Sequence, residues 1–78
     1  MTTHNLDVRG QLCPIPVIRT QNHIKKLAPG DILEVLCTDP GALHDIPAWC
    51  RIHGHTVIDT QTGDDGNIVV AIEVGNTD

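Results

Sequence analysis

Three cysteines, at 13, 37 and 50, and five histidines are the side chains of this chain whose chemistry reaches furthest beyond packing. Cys13 stands in Leu12-Cys13-Pro14-Ile15-Pro16, where an extended segment gives way to an amphipathic one. Pro14 biases the residue before it toward extended backbone and suits the first position of a helix, so Cys13 reads as the N-cap. Pro16 still lies in the first turn, where no amide needs an intrahelical acceptor. The amides of Ile15, Val17 and Cys13, together with the positive end of the helix dipole, would favour an anionic sulfur, and Arg9 is a candidate cationic neighbour. This arrangement predicts a thiol of lowered pKa that reacts even in mildly acidic solution. The competing reading is a small buried hydrophobe, which is what most free cysteines are.

The other candidates carry less. Cys37 alternates with Leu33 and Val35 on one face of a strand, and Cys50 falls beside Ile46 on a helix, so both read as core. His53-Gly54-His55 is the best local case for a metal. The chain has no C-x-x-C and no matched histidine pair, so no metal and no cofactor is expected. A dithiol redox role also fails, because Cys13-Pro14-Ile15-Pro16 has no second cysteine. One nucleophilic sulfur without a resolving neighbour suits group transfer better than oxidoreduction. There is no glycine-rich phosphate loop before a helix and no serine anywhere, which leaves nucleotide-binding and serine-hydrolase readings without residues to rest on.

The elements that must position Cys13 follow from hydrophobic periodicity. Asn5 to Arg9 alternates Leu6 and Val8 with polar neighbours and predicts a strand. From Pro14, residues Val17, Ile18, Ile24, Leu27 and Ala28 recur at helical spacing until Pro29-Gly30 stops the helix. Ile32 to Thr38 is a second, central strand. Asp39 can cap a helix with Pro40 at its first position. Pro47 is expected to interrupt it, leaving a short turn over 40–44 and, capped by Asp45, a main helix over 46–53 with Ile46, Trp49, Cys50 and His53 on or near one face. His55 to Gln61 forms a third strand, 62–67 a hairpin turn, and Ile68, Val70, Ile72 and Val74 the buried face of a fourth. The tail, 75–78, is expected to fray. The order βαβαββ predicts one α+β domain over 1–78, a two-layer sandwich. Its four-stranded mixed sheet carries both helices on one face because the crossovers are right-handed. The opposite face would show Ile32, Leu36, Val69 and Ala71 beside Glu34 and Glu73, a half-apolar surface that could meet a partner.

Composition narrows the function classes. With 78 residues the domain can bury only ~60–65% of its unfolded surface, which leaves room for one core and one site. One Trp and no Phe or Tyr leave no platform for base stacking, and a net charge of −5 disfavours phosphate backbones, so no direct nucleic-acid partner is expected. Residues 1–30 hold four basic residues against one acid, a balance of +3, and residues 31–78 hold one against nine, a balance of −8. The neighbourhood of Cys13 is therefore expected to be electropositive on an acidic body. No signal-peptide pattern and no membrane-length apolar run are present, and three cysteines make an odd count, so reduced thiols in the cytoplasm and no membrane association are expected.

Gly10-Gln11-Leu12-Cys13-Pro14-Ile15-Pro16, the Leu6-Asp7 strand ahead of it, Pro29-Gly30-Asp31, Thr38-Asp39-Pro40-Gly41 and Asp45-Ile46-Pro47 with Cys50 together resemble the TusA/SirA-type sulfur-carrier family. The likeness covers nearly the whole domain. It differs at Gln11-Leu12, where a basic residue often precedes the cysteine, and at Cys37, where a small apolar residue is usual. The resemblance implies a βαβαββ fold and a persulfide carried on Cys13. It also implies a cysteine desulfurase or rhodanese-like donor, an acceptor protein in a sulfur relay, and a role in tRNA thiolation, sulfur oxidation or cofactor assembly. Under it Cys13 is the transferring residue of a sulfurtransferase, with Arg9, Pro14, Ile15, Pro16 and Val17 supporting the persulfide anion. The alternative is a noncatalytic regulatory interaction module with a structural cysteine and a partner on its open sheet face.

Overall fold

The computed structural model describes residues 2–75. The tail expected to fray lies outside them beyond Gly75. The order is β1 (Thr3–Asp7), α1 (Ile15–Ile24), β2 (Ile32–Cys37), α2 (Ala42–Ile52), β3 (Thr56–Thr62) and β4 (Ile68–Glu73), in one sheet of order β1-β2-β4-β3. The first two strands are parallel, with Leu6 opposite Val35, and β4 pairs antiparallel with both β2 and β3. The α+β two-layer architecture with two helices over a mixed sheet is the one the periodicity predicts.

Alternation along β2 and β4 explains the layers. Leu33, Val35 and Cys37 pair with Ile72, Val70 and Ile68, and all six are buried. Ala42, Ile46 and Cys50 of α2, spaced four apart, complete this core with Ile24 of α1. Pro16 and Thr20 are also inward residues of α1, whereas Ile18 and Ala28, expected there, are exposed. For Ile18 the reason is phase, since the inward row of this helix runs through 16, 20 and 24; for Ala28 it is length, since α1 ends at Ile24 and does not run on to Pro29-Gly30 as expected. The opposite sheet face presents Ile32, Leu36 and Val69, half-buried, beside Glu34 and Glu73, and holds a shallow groove of about 430 Å³ along Asn5, Asp7, Glu34, Leu36 and Val69.

Three local expectations are corrected. Strand β1 begins at Thr3, two residues early, and pairing continues past it through the Val8 amide, which donates to the Leu36 carbonyl at 2.8 Å. Pro14, not Cys13, is the N-cap of α1, so Cys13 lies one residue outside the helix. Pro47 does not split α2, which runs unbroken from Ala42 to Ile52. The missing Pro47 amide costs one intrahelical hydrogen bond in the middle of the helix, and the buried row of Ala42, Ile46 and Cys50 holds the axis through it.

Candidate functional site

Parallel pairing of β1 with β2 places the C-terminal ends of both strands side by side, so the segments that follow them meet at one edge of the sheet. After β1 the chain turns at Gly10, whose φ of 77° is open to glycine at no steric cost. The Gly10 amide donates to Thr38 Oγ1 at 2.8 Å, tying this turn to the loop after β2. The next residues of that loop reach the cysteine. Asp39 uses its two oxygens separately: Oδ1 accepts from the Gly41 amide at 3.1 Å, and Oδ2 accepts from the Cys13 amide at 2.8 Å. One turn into α2, Asp45 accepts a hydrogen bond from the Cys13 thiol through Oδ2.

Cys13 is exposed, and Leu12 (73% exposed), Ile15 and Ile18 give its segment an exposed apolar fringe. Cys37 and Cys50 are 0% and 1% exposed. Of the three thiols, only Cys13 is open to a reagent or a partner.

Its electrostatic setting differs from the expectation. The hydrogen bond to Asp45 pushes the Cys13 thiol above its ordinary pKa, with partial desolvation and the charges of Asp45 and Asp39 acting in the same direction. The +3 balance of residues 1–30 does not collect at the sulfur. Arg9 closes on Asp7, donating from Nε to Oδ1 at 3.0 Å and from Nη2 to Oδ2 at 2.9 Å, and this holds the Asp7 carboxyl down at about 2. Arg19 donates to Gln11 Oε1 at 3.4 Å. Lys25 and Lys26 follow the far end of a ten-residue helix, ~15 Å from its start. Two amides expected to face the sulfur are also engaged, Ile15 with the Leu12 carbonyl at 2.9 Å and Cys13 with Asp39. Pro14, Pro16 and Val17 shape the chain here: Pro16 is buried, Val17 packs against the core, and Pro14 carries the cap.

Asp39 and Asp45 are the site residues that reading by segment overlooks, since each looks like a helix cap. The signal for Asp39 lies in topology: in a parallel βαβ unit, a residue directly after the second strand neighbours the loop after the first. The other chemical candidates go elsewhere. His53 and His55 each stack on Trp49, with ring centroids 4.8 and 5.2 Å apart, and His55 Nδ1 accepts from the Gly75 amide at 3.0 Å. Among the described residues no group of three or more His, Cys, Asp or Glu side chains is placed to hold a metal ion. No helix among the described residues is long and apolar enough to cross a membrane.

Comparison with known proteins gives a consistent result. The family model described as Sulfurtransferase TusA matches residues 4–74. The sulfur carrier protein TusA of Pseudomonas aeruginosa is 43% identical over 56 residues, covering 72% of this chain and 71% of its own. A candidate sulfur carrier protein of Halobacterium salinarum is 47% identical over 64 residues, or 81% of this chain and 79% of its own. The crystal structure of a SirA-like protein from Desulfitobacterium hafniense superposes with a TM-score of 0.81 at 28% identity, covering 97% of this chain and all of that one.

Proposed function

The chain belongs to the TusA family of sulfur carriers, and from that premise we propose that it carries sulfane sulfur as a persulfide on Cys13. A cysteine desulfurase or rhodanese-like protein donates the sulfur, and an acceptor protein's thiol removes it. The observation that supports this most is the contrast in access: Cys13 stands exposed at the edge where two loops meet, while Cys37 and Cys50 are sealed in the core. The apolar fringe of Leu12, Ile15 and Ile18 suits brief contact with a partner's own cysteine loop. Pro14 and Pro16 stiffen the turn that presents the sulfur, and Val17 anchors that turn to the core. Arg9, engaged by Asp7, serves the site through the shape of the β1 turn rather than as a counter-ion. A sulfurtransferase label, a cytoplasmic setting, and service to tRNA thiolation or sulfur oxidation are parts of the same proposal.

Incubation with a desulfurase and cysteine, followed by intact-mass analysis, tests it. One added sulfur on the wild-type chain, lost completely in Cys13→Ser, is the expected result. Loading that persists on Cys37 or Cys50 in that variant would overturn the site. A chain that takes no sulfur at all would point to the noncatalytic interaction module.

A further inference from the structure

A site built only to hold a thiolate would aim hydrogen-bond donors at the sulfur. This one aims an acceptor. The Cys13 thiol donates to Asp45 Oδ2 from the adjacent helix, and the Cys13 amide is pinned by Asp39 Oδ2, so sulfur and carboxylate are held together from two elements. The other charge acting on the sulfur is Asp39, in the loop after β2, and the cations of the flanking segments are engaged elsewhere, Arg19 of α1 with Gln11 and Arg9 after β1 with Asp7. A carboxylate accepting a proton-bearing hydrogen bond from a nucleophile is the geometry of a base beside its substrate acid.

We propose that Asp45 is the proton relay of Cys13, taking the thiol proton as the sulfur attacks and delivering it to the thiolate that leaves. This rests on the persulfide reading above. In loading, Cys13 Sγ forms a bond to the outer sulfur of a donor persulfide R–S–SH, and the donor's S–S bond breaks. The electron pair of that bond departs on R–S⁻. The proton of Cys13 passes to Asp45 Oδ2 and then to R–S⁻, so the products are Cys13–S–SH and R–SH, with no external oxidant or reductant. Discharge is the mirror image. The acceptor's thiol attacks the outer sulfur, the electron pair returns to Cys13 Sγ, and the acceptor's proton reaches that sulfur through Asp45. The relay matters because alkyl thiolates are poor leaving groups, and thiol exchange accelerates as the leaving group becomes more acidic. A positioned acid–base group is worth typically ~10²–10⁴-fold in such a step.

The relay separates reactions by their leaving groups. Iodide from iodoacetamide and an acidic aromatic thiolate from an aryl disulfide depart without a proton, whereas an alkyl thiolate from glutathione persulfide needs one. In Asp45→Asn, which removes a charge opposing the thiolate, alkylation and aryl-disulfide exchange at Cys13 should run at least as fast as in wild type at neutral pH. Sulfur loading from glutathione persulfide, divided by the alkylation rate of the same variant, should fall by ~10²-fold, and Asp45→Glu should restore part of it. An unchanged ratio in Asp45→Asn would overturn the relay and leave the carrier reading standing. Absence of loading on wild-type Cys13 would overturn both. Should Asp45→Asn fail to fold, the wild-type chain still decides: its exchange rate across leaving thiols of rising pKa stays nearly flat if Asp45 supplies the proton and falls steeply if it does not.

Discussion

Cys13 and Cys50 both carry thiols whose pKa lies above the ordinary value, and they reach that state by different physics. Cys50 is enclosed by the sheet and its own helix, and loss of water alone pushes it up to about 11. Cys37 is raised the same way, chiefly by burial and then by the charge of Asp39. Cys13 is raised while exposed, first by its hydrogen bond to Asp45. Desolvation suppresses a thiolate permanently, because no partner can return the water. A hydrogen-bonded carboxylate suppresses it conditionally, because the same group that disfavours the anion can also accept its proton. The comparison therefore separates an inert thiol from one held in reserve, although both have thiol pKa values shifted in the same direction.

The largest consequence is selectivity. Native protein treated with iodoacetamide should be modified at Cys13 alone, with Cys37 and Cys50 reacting only after unfolding, as peptide mapping would show. The rate at Cys13 should climb at higher pH than for a free cysteine, which replaces the mildly acidic reactivity expected from the helix start. The linkage has a definite sign: a native pKa above the unfolded one stabilises the fold below the unfolded pKa, and that contribution is lost as pH rises through the native value. A rate profile with its midpoint below that of free cysteine would break the comparison.

Next in size is the core. Cys50→Ser places a hydroxyl where the structure provides a nonpolar enclosure, and should cost about 1–3 kcal/mol in urea unfolding while leaving sulfur loading at Cys13 intact. Equal stability of the variant would mean that Cys50 is wetter than its burial implies. The smallest effect belongs to Arg9. Arg9→Gln should leave the alkylation profile of Cys13 unmoved, since the guanidinium is spent on Asp7. Because Asp7 titrates at about 2 in the native chain, well below its unfolded value, the pair's contribution is present above pH ~4 and is lost as pH falls toward the native value. Thermal melts of wild type and variant should accordingly differ slightly at neutral pH and converge in acid. A marked change in Cys13 reactivity would instead restore Arg9 as a direct neighbour of the sulfur.

Much of the architecture was legible from local pattern. Alternation at Leu33, Val35 and Cys37, and at Ile68, Val70, Ile72 and Val74, dictates which strand faces are buried, since successive side chains of a strand point to opposite sides. Gly54 marks where α2 cannot continue, whereas α1 already stops at Ile24, short of Pro29-Gly30. Pro47 is misleading because even a helix interior tolerates a proline when the inward row is packed, and packing is not a local property. At the site, the residue types and the proline spacing single out Cys13, because only that cysteine sits outside a hydrophobic alternation. Its electrostatics are not contained in the segment. Counting charge along residues 1–30 places cations near Cys13, but a guanidinium two residues from a carboxylate closes on it first, as Arg9 does on Asp7. Asp39 and Asp45, 26 and 32 residues away in the chain, arrive because β1 and β2 run parallel and bring their following loops to one edge. The βαβαββ order, the core faces and the identity of the exposed thiol are thus readable along the chain, all consequences of short-range geometry. That this thiol faces a carboxylate and not a cation emerges with the packed fold, because electrostatic neighbours are set by distance in space.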